Sequence, residues 1–552
     1  MTRAKLKEIR VPMQEQPAEE RIRNFRSVPL GYTAKEAIAE AQRCLQCKKA
    51  TCEENCPISM KIKAMIREIA EGNFKDAFLI AKQDNPIPAI AGRVCPQENQ
   101  CEGACLMGKK FQAINIGKLG AFVADWAREN GIEEELHIAD GPGKVAIVGS
   151  GPSGIACAID LRKFGYHVTM FEALHVAGGV LQYGIPAFRL PKDVVDYELS
   201  YLQKIGVDVF LNRIVGQNVS LSELQKEFDA IFLGTGAGTP IFLNIAGEKL
   251  KGVYSANEFL IRVNLMKAYR FPEYDTPIVL GDKVGVIGAG NVAMDSARCA
   301  IRLGAKEVYI LYRRTKEYST ARAEEVQHAL DEGVIYKELV NPTKILGNED
   351  GWVKGIELAH MELGEPDSSG RPRPTKISGS EFTMELDTVI NAIGTRPNRL
   401  FLDKTPELEV ATWGGLKVND NLMTNIKGVV AGGDAISGGA TVIQALGEGR
   451  KAAKSINRYV RRGGEIRKAG MNGYVFIQFK DNVTPQDCLD IRKKLESIRE
   501  VVNIDDVVDI DWFDAIASVA APIPVHDVAC TIAKIPGIAN AWPSRITKGS
   551  II

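Results

Sequence analysis

The sequence predicts a multidomain protein: a helical, cysteine-bearing N-terminal domain, two nested α/β domains and a small α+β domain at the C-terminus. Three observations predict it. Seven of the eleven cysteines crowd between Cys44 and Cys105. Two glycine-rich turns, at Gly149 and Gly288, each follow an apolar run and open a helical pattern. Beyond residue 473 the strand and helix patterns come in the order βαββαβ. The expected boundaries are 1–140 for the helical domain, 141–275 with 385–465 for the first α/β domain, 276–384 for the second, and 466–552 for the last.

Composition sets limits. The chain has 552 residues, with Lys+Arg and Asp+Glu at 69 each and 45% hydrophobic residues. That length supplies several cores. A formal net charge of zero gives no general pull toward nucleic acid or an anionic membrane. No apolar run reaches the roughly 20 residues of a membrane span. The N-terminal MTRAKLKEIRVPMQEQPAEERIRNF has no apolar signal core. The expectation is a soluble, cytoplasmic protein.

In the N-terminal segment, Thr33 with Glu36 makes a capping box before a helix running toward Cys44. IKAMIREIAEG and FKDAFLIAKQD carry helical spacing of apolar residues. The cysteines read Cys44-x2-Cys47-x4-Cys52-x3-Cys56-Pro57 and Cys95-Pro96, then Cys101-x3-Cys105. The first group resembles the bacterial ferredoxin run with one gap stretched, in which the fourth cysteine serves the other cluster. A structural zinc site usually takes four ligands from paired CxxC units. Seven cysteines with a single CxxC and a Cys-Pro ending fit iron–sulfur clusters better. Two four-iron clusters need one ligand more than these seven supply. Cys157, Cys299, Cys488 and Cys530 read as small buried apolar residues.

The first turn is KVAIVGSGPSGIACAIDLRKFGYHVTMFE. A β-type run meets Gly149-x-Gly151-x-x-Gly154, then a helix, then a strand ending at Glu172. Glycines admit the tight turn and a close pyrophosphate, the helix N-terminus faces its charge, and the acid bonds the ribose. This is the Rossmann-like dinucleotide pattern. The second turn has Gly288-x-Gly290-x-x-Ala293 and a strand ending in Tyr312-Arg313-Arg314, with no acid where the first has Glu172. Guanidinium groups there suit a 2′-phosphate, hence NADP(H). Gly432-Gly433-Asp434 follows an apolar run and leads into GGATVIQALGEGRKAA. Asp434 suits a flavin's polyol chain, or an ordinary N-cap. GEPDSSGRPRPTK, residues 364–376, reads as a surface hairpin or loop. No CxxC lies near the flavin segment, so electrons leave the flavin singly through the iron–sulfur centres.

These motifs together resemble the glutamate synthase small-subunit family, over roughly residues 8–460. The resemblance rests on RCLQCKKATCEENCP, NPIPAIAGRVCP, CEGAC, INIGKL, GGVLQYGIPAFRLPK, LGTGA, GAGNVAMD, YRR, NAIGTRPN and AGGD. VPMQEQPAEERIRNF, the first cysteine run and INIGKL most resemble the large subunit of NADH-dependent ferredoxin:NADP+ oxidoreductase, an electron-bifurcating transhydrogenase. The resemblance implies one cluster on Cys44, Cys47, Cys52 and Cys105, and three irons of another on Cys56, Cys95 and Cys101. It implies FAD contacts at Gly149, Gly151, Pro152, Ser153, Gly154, Glu172, Gly179, Gly236, Asp434 and Thr441, with the Arg189 segment lining the flavin. It implies NADP(H) contacts at Gly288, Gly290, Asn291, Val292, Arg313 and Arg314. No catalytic side chain is implied, since the flavin mediates hydride transfer.

Three positions depart from the family pattern. Gly120 stands where the family has a Glu or Gln as the eighth cluster ligand. Gln97, Glu98, Gln100 and Glu102 are the nearest substitutes in sequence. Ser319-Thr320 replaces a Met-Pro, and Gly438-Gly439-Ala440-Thr441-Val442 replaces GP-x-TV.

The last segment lies outside that resemblance. YVFIQFK, VVNIDDVVDIDW, AIASVAA and NAWPSRI read as strands, and helices are expected after Thr484-Pro485 and over VHDVACTIAKI. The order is that of a ferredoxin-like fold, and KIPGIANA resembles the Lrp/AsnC-like ligand-binding domain. Assembly or docking is the expected role.

The expectation is an NADPH:acceptor oxidoreductase subunit. It exchanges hydride between NADP(H) and FAD, and single electrons with a flavin or iron–sulfur partner subunit or ferredoxin, in a hetero-oligomer. A glutamate synthase small subunit and a non-catalytic wiring or ligand-sensing subunit are the alternatives.

Overall fold

A computed structural model describes residues 8–135, 143–367 and 370–461, and the backbone of four strands between 473 and 544. The chain divides into two compact units, Met1–Asn457 and Arg458–Ile552.

The N-terminal part is helical, as its apolar spacing dictates. Helix Ala34–Ala41 opens on the expected capping box: Glu36 N–H donates to Thr33 Oγ1, and Thr33 N–H to the Glu36 carboxylate. Helix Ile62–Glu71 buries Ile62, Met65, Ile66 and Ile69 on one stripe and stops at Gly72, whose φ of 84° is left-handed. Helices Phe74–Asp84, Pro88–Val94 and Ile116–Glu129 complete the group. Phe74 packs edge-on to Phe122 and Trp126.

Two parallel five-stranded sheets follow. The first runs Val429–Ala431, Ala230–Leu233, Lys144–Val148, His167–Phe171, Val207–Phe210 in spatial order. The second runs Ile335–Lys337, Glu307–Leu311, Lys283–Ile287, Thr388–Asn391, Val253–Ser255. The expected boundaries at 275 and 385 therefore need correction. Val253–Ser255 and Thr388–Asn391 pair in the second sheet, not the first. The chain crosses instead at a two-stranded ribbon, where Thr239 faces Arg396 and Pro240 faces Thr395. The polar segment at 364–376 is the tip of a hairpin between Val353–Pro366 and Pro372–Met384, closed by Gly370 N–H donating to Asp367 O at 2.8 Å.

A buried network of charges joins these parts. Arg298, on helix Asn291–Arg302, pairs with Glu325 and Glu332. Arg302 and Arg21 also reach Glu332, at 2.6 and 2.8 Å. The Arg298 and Arg302 guanidiniums lie 4.6 and 4.0 Å from the Phe188 ring centre. Burial alone would raise the Glu332 carboxyl. Hydrogen bonds and charge from Arg302 and Arg298 outweigh it and lower the pKa from 4.5 to about 2. A depressed carboxylate stabilises the fold above its unfolded pKa and loses that contribution as pH falls toward the folded value. Chemical unfolding should show stability falling between about pH 4.5 and 2. Glu332→Gln takes a charged partner from three buried guanidiniums, Arg298, Arg302 and Arg21, and should cost about 3–5 kcal/mol at neutral pH.

In the second unit, strands Val501–Asp506, Ala515–Val519, Gly473–Phe479 and Ile538–Ser544 form one antiparallel sheet in that order. The helices expected after Thr484 and over 525–535 lie outside the described residues, as do Cys488 and Cys530. Among the described residues no helix is long and apolar enough to cross a membrane.

Candidate functional site

The seven clustered cysteines are free thiols in two neighbourhoods. Thr51 Oγ1 donates to Ala104 O at 2.6 Å and so draws the first cysteine loop onto the residue before Cys105. Cys44 feels the charges of Cys105 and Cys47, and Cys52 those of Cys105 and Cys44. Cys95, which ends helix Pro88–Val94, feels Cys56, and Cys101 feels both. Burial is the largest cause in every case. With Glu53 and the nearby thiols it pushes Cys52 up to about 12. With Cys56 it takes Cys95 to about 12, against a downward pull from Arg322. Burial disfavours the thiolates of Cys44, Cys52, Cys95 and Cys101, a cost that a bound cation would offset, as in a thiolate-held metal cluster. Cys157 and Cys299 are fully buried small core residues, as expected.

Gly120 lies buried on helix Ile116–Glu129, yet a Cβ built there meets nothing within 4 Å. Three of the four nearby substitutes are already bound. Gln97 donates to Gly92 O and accepts from Arg322. Glu98 accepts from Ala323 N–H and Arg322. Glu102 accepts from Gly117 N–H and Arg10.

The first glycine turn is shaped for a dinucleotide. Gly149 has φ +97°, and a Cβ there would sit 2.3 Å from Gly234 O; one at Gly154 would sit 2.0 Å from Gly149 O. Cβ positions at Gly151 and Gly236 meet open space. Pro152 is the first residue of helix Pro152–Lys163, whose N-terminus has no side-chain cap, so its amides stay free for an anion. Ser153 is buried, with its hydroxyl 2.6 Å from the Cβ position of Gly433. Gly179 packs on Gly151, and Glu172 accepts from the N–H groups of Ser150 and Leu174. Asp434 accepts from Ala440 N–H, and burial raises its carboxyl. Thr441 bonds Gln444 just ahead of helix Val442–Arg461. Tyr183, which the sequence reading did not single out, lies within the fields of Asp434 and Glu172. Burial first, then those two acids, push its phenol up to about 12.

Arg189 does not stand free toward the flavin site. Its guanidinium is spent on Asp295 at 2.6 Å and Glu325 at 3.0 Å. Its neighbour Lys192 donates to the carbonyls of Leu181 and Ile185, and burial lowers its pKa to about 7. No local pattern signals either role, because the partners lie about a hundred residues away or on the backbone.

The second turn repeats the first. Gly288 has φ +123°, and a Cβ there would sit 2.5 Å from Ala392 O. Gly290 precedes an uncapped helix N-terminus at Asn291, and Val292 is exposed beside it. The two arginines separate. Arg314 is buried, pairing with Asp367 at 2.7 Å and donating to Pro372 O at 2.8 Å. Arg313 is exposed and forms no ion pair among the described residues.

Comparison with known proteins agrees with this geometry. Residues 21–132 match the family described as dihydropyrimidine dehydrogenase domain II, 4Fe-4S cluster. Residues 143–449 match pyridine nucleotide-disulphide oxidoreductase. The chain is 39% identical to the NADP(+)-dependent formate dehydrogenase subunit beta of Moorella thermoacetica, over 75% of this chain and 60% of that subunit. It thus spans less than two thirds of that relative's length. It is 36% identical to the glutamate synthase [NADPH] small chain of Escherichia coli, over 82% of this chain and 97% of the other. Mycobacterium tuberculosis FprA in complex with NADPH shares the fold, with TM-score 0.50 and 21% identity over 58% of this chain and 85% of that one. The chain belongs to the pyridine nucleotide-disulphide oxidoreductase family, in its glutamate synthase small-chain branch, with a 4Fe–4S cluster domain ahead of it.

Proposed function

We propose that the chain is the NADPH:acceptor oxidoreductase subunit of a ferredoxin-linked complex of the transhydrogenase type. Bound FAD would exchange hydride with NADP(H) and single electrons with the iron–sulfur centres. Gly149, Gly151, Gly154 and the amides of helix Pro152–Lys163 hold the flavin nucleotide, with Glu172 on its ribose and Asp434 on its polyol chain. Gly288, Gly290 and Asn291 hold the NADP(H) pyrophosphate, and Arg313 the 2′-phosphate. The chain holds two four-iron clusters, one on Cys44, Cys47, Cys52 and Cys105, the other on Cys56, Cys95 and Cys101. The observation that carries this reading is the gathering of the seven clustered thiols, two buried and five half-buried, into two neighbourhoods.

Gln97, Glu98 and Glu102 are committed to other partners, which leaves Gln100 as the nearest uncommitted substitute for the eighth ligand. A partner subunit, carrying a flavin or iron–sulfur centre, receives or supplies the single electrons. The C-terminal domain serves assembly, and its antiparallel strand order supports a ferredoxin-like fold. Identity of 36% with a glutamate synthase small chain favours a second reading, in which the partner is a glutamate-forming subunit.

Stopped-flow reduction by NADPH, with iron analysis, tests the proposal. Rapid flavin bleaching by NADPH and about eight irons per chain are expected. Flavin that NADPH leaves oxidised would favour a wiring role instead.

A further inference from the structure

We propose that Arg322 is a positioning residue that ties the NADP(H) turn to the iron–sulfur site on Cys56, Cys95 and Cys101, so that nucleotide occupancy alters the charge environment of that cluster. The inference rests on the reading that these three cysteines hold a cluster.

Residues 319–322 lie along the second glycine turn. Ser319 Oγ donates to Ala289 O at 2.7 Å, and the Thr320 and Ala321 N–H groups donate to the same carbonyl at 3.2 and 3.3 Å. Arg322 N–H donates to Asn291 Oδ1 at 3.0 Å. Thr320 Oγ1 is the atom nearest the Cβ position of Gly290, at 3.4 Å. A pyrophosphate held on Gly290 and the helix amides would lie beside this segment, which Asn291 ties to the helix start.

The Arg322 side chain runs the other way. Its Nη1 donates to Arg93 O at 3.0 Å and its Nη2 to Gln97 Oε1 at 2.9 Å. Arg93 and Gln97 stand two residues to either side of Cys95. Its Nε faces Glu98 at 3.4 Å, and its Nη2 faces Glu324 at 3.0 Å. Ala323 N–H donates to Glu98 Oε1 at 3.2 Å, so the start of helix Ala323–Asp331 is tied to the same loop. Arg322 is 8% exposed. A charge so shielded from water is poorly screened and acts on neighbouring sulfurs more strongly than a surface arginine. A cluster gains negative charge on reduction, so a fixed guanidinium beside it favours the reduced state.

The test uses the full chain loaded with FAD, iron and sulfide, in wild-type, Arg322→Gln and Arg322→Lys forms. EPR-monitored redox titration is run with and without saturating NADP+, with saturation read from equilibrium binding. Cys47→Ser and Cys95→Ser assign the two cluster signals. Wild-type protein should show an NADP+-dependent shift in the midpoint of the Cys95 cluster. Arg322→Gln should lower that midpoint without nucleotide and abolish the shift, leaving the Cys47 cluster unmoved. Arg322→Lys should restore much of the midpoint, because the charge returns. A wild-type midpoint indifferent to NADP+, a shift that survives in Arg322→Gln, or equal movement of both clusters would overturn the proposal. Iron and EPR signals for a single cluster in wild-type protein would instead overturn the two-cluster reading.

Discussion

Arg313→Gln should lower kcat/KM for NADPH by about 10- to 100-fold, the scale of losing one charge-assisted phosphate contact, and leave NADH within about twofold. Arg313 is exposed beside the second glycine turn and has no competing carboxylate among the described residues. Arg314 is different: its guanidinium holds Asp367 and Pro372 O of the hairpin tip. Arg314→Gln should therefore loosen the hairpin and depress both cofactors alike. Steady-state kinetics with each nucleotide reads the difference. Equal losses for NADPH and NADH in Arg313→Gln would remove it from the 2′-phosphate site.

Cys47→Ala should cut NADPH-driven reduction of a ferredoxin acceptor by more than about 100-fold, because thiolates are what hold the cluster that carries single electrons. Flavin reduction by NADPH, followed in the same sample, should stay within about twofold of wild type, since the hydride site lies in the α/β domains. Cys157→Ala makes the control: that thiol is fully buried in the core and should leave ferredoxin reduction intact. Undiminished ferredoxin reduction in Cys47→Ala would mean that electrons leave by another route.

Local signals made much of this molecule legible in its sequence. The Thr33–Glu36 box, the apolar stripe of helix Ile62–Glu71, both glycine turns and the hairpin at 364–376 are short-range features whose chemistry is set within a few residues. Pairing across the chain was not legible. Val253–Ser255 and Thr388–Asn391 look like strands of either nested domain, and only their register beside Lys283–Ile287 and its neighbours assigns them. Arg313 and Arg314 are equivalent as letters, yet Asp367, more than fifty residues on, takes one of them. The segment of Arg189 is expected to line the flavin; that its guanidinium pairs with Asp295 and Glu325 of the other α/β domain could not be read from nearby residues. Tyr183 sits inside GGVLQYGIPAFRLPK, but nothing in that string places its phenol near Asp434 and Glu172.

The short ribbon of Thr239–Pro240 and Thr395–Arg396 bears on motion. Both threads that connect the nucleotide-binding lobe to the flavin-binding lobe pass through it side by side. Connectivity therefore leaves that lobe one soft torsional axis, and a hinge of this kind absorbs rotation in a few residues. Arg189 lies on one side of the join and its partners Asp295 and Glu325 on the other, so a rotation there would have to part them. Buried opposite charges are costly to pull apart without replacement. The join is thus narrow in backbone and tied across by buried charge, which packing alone would not hold in register.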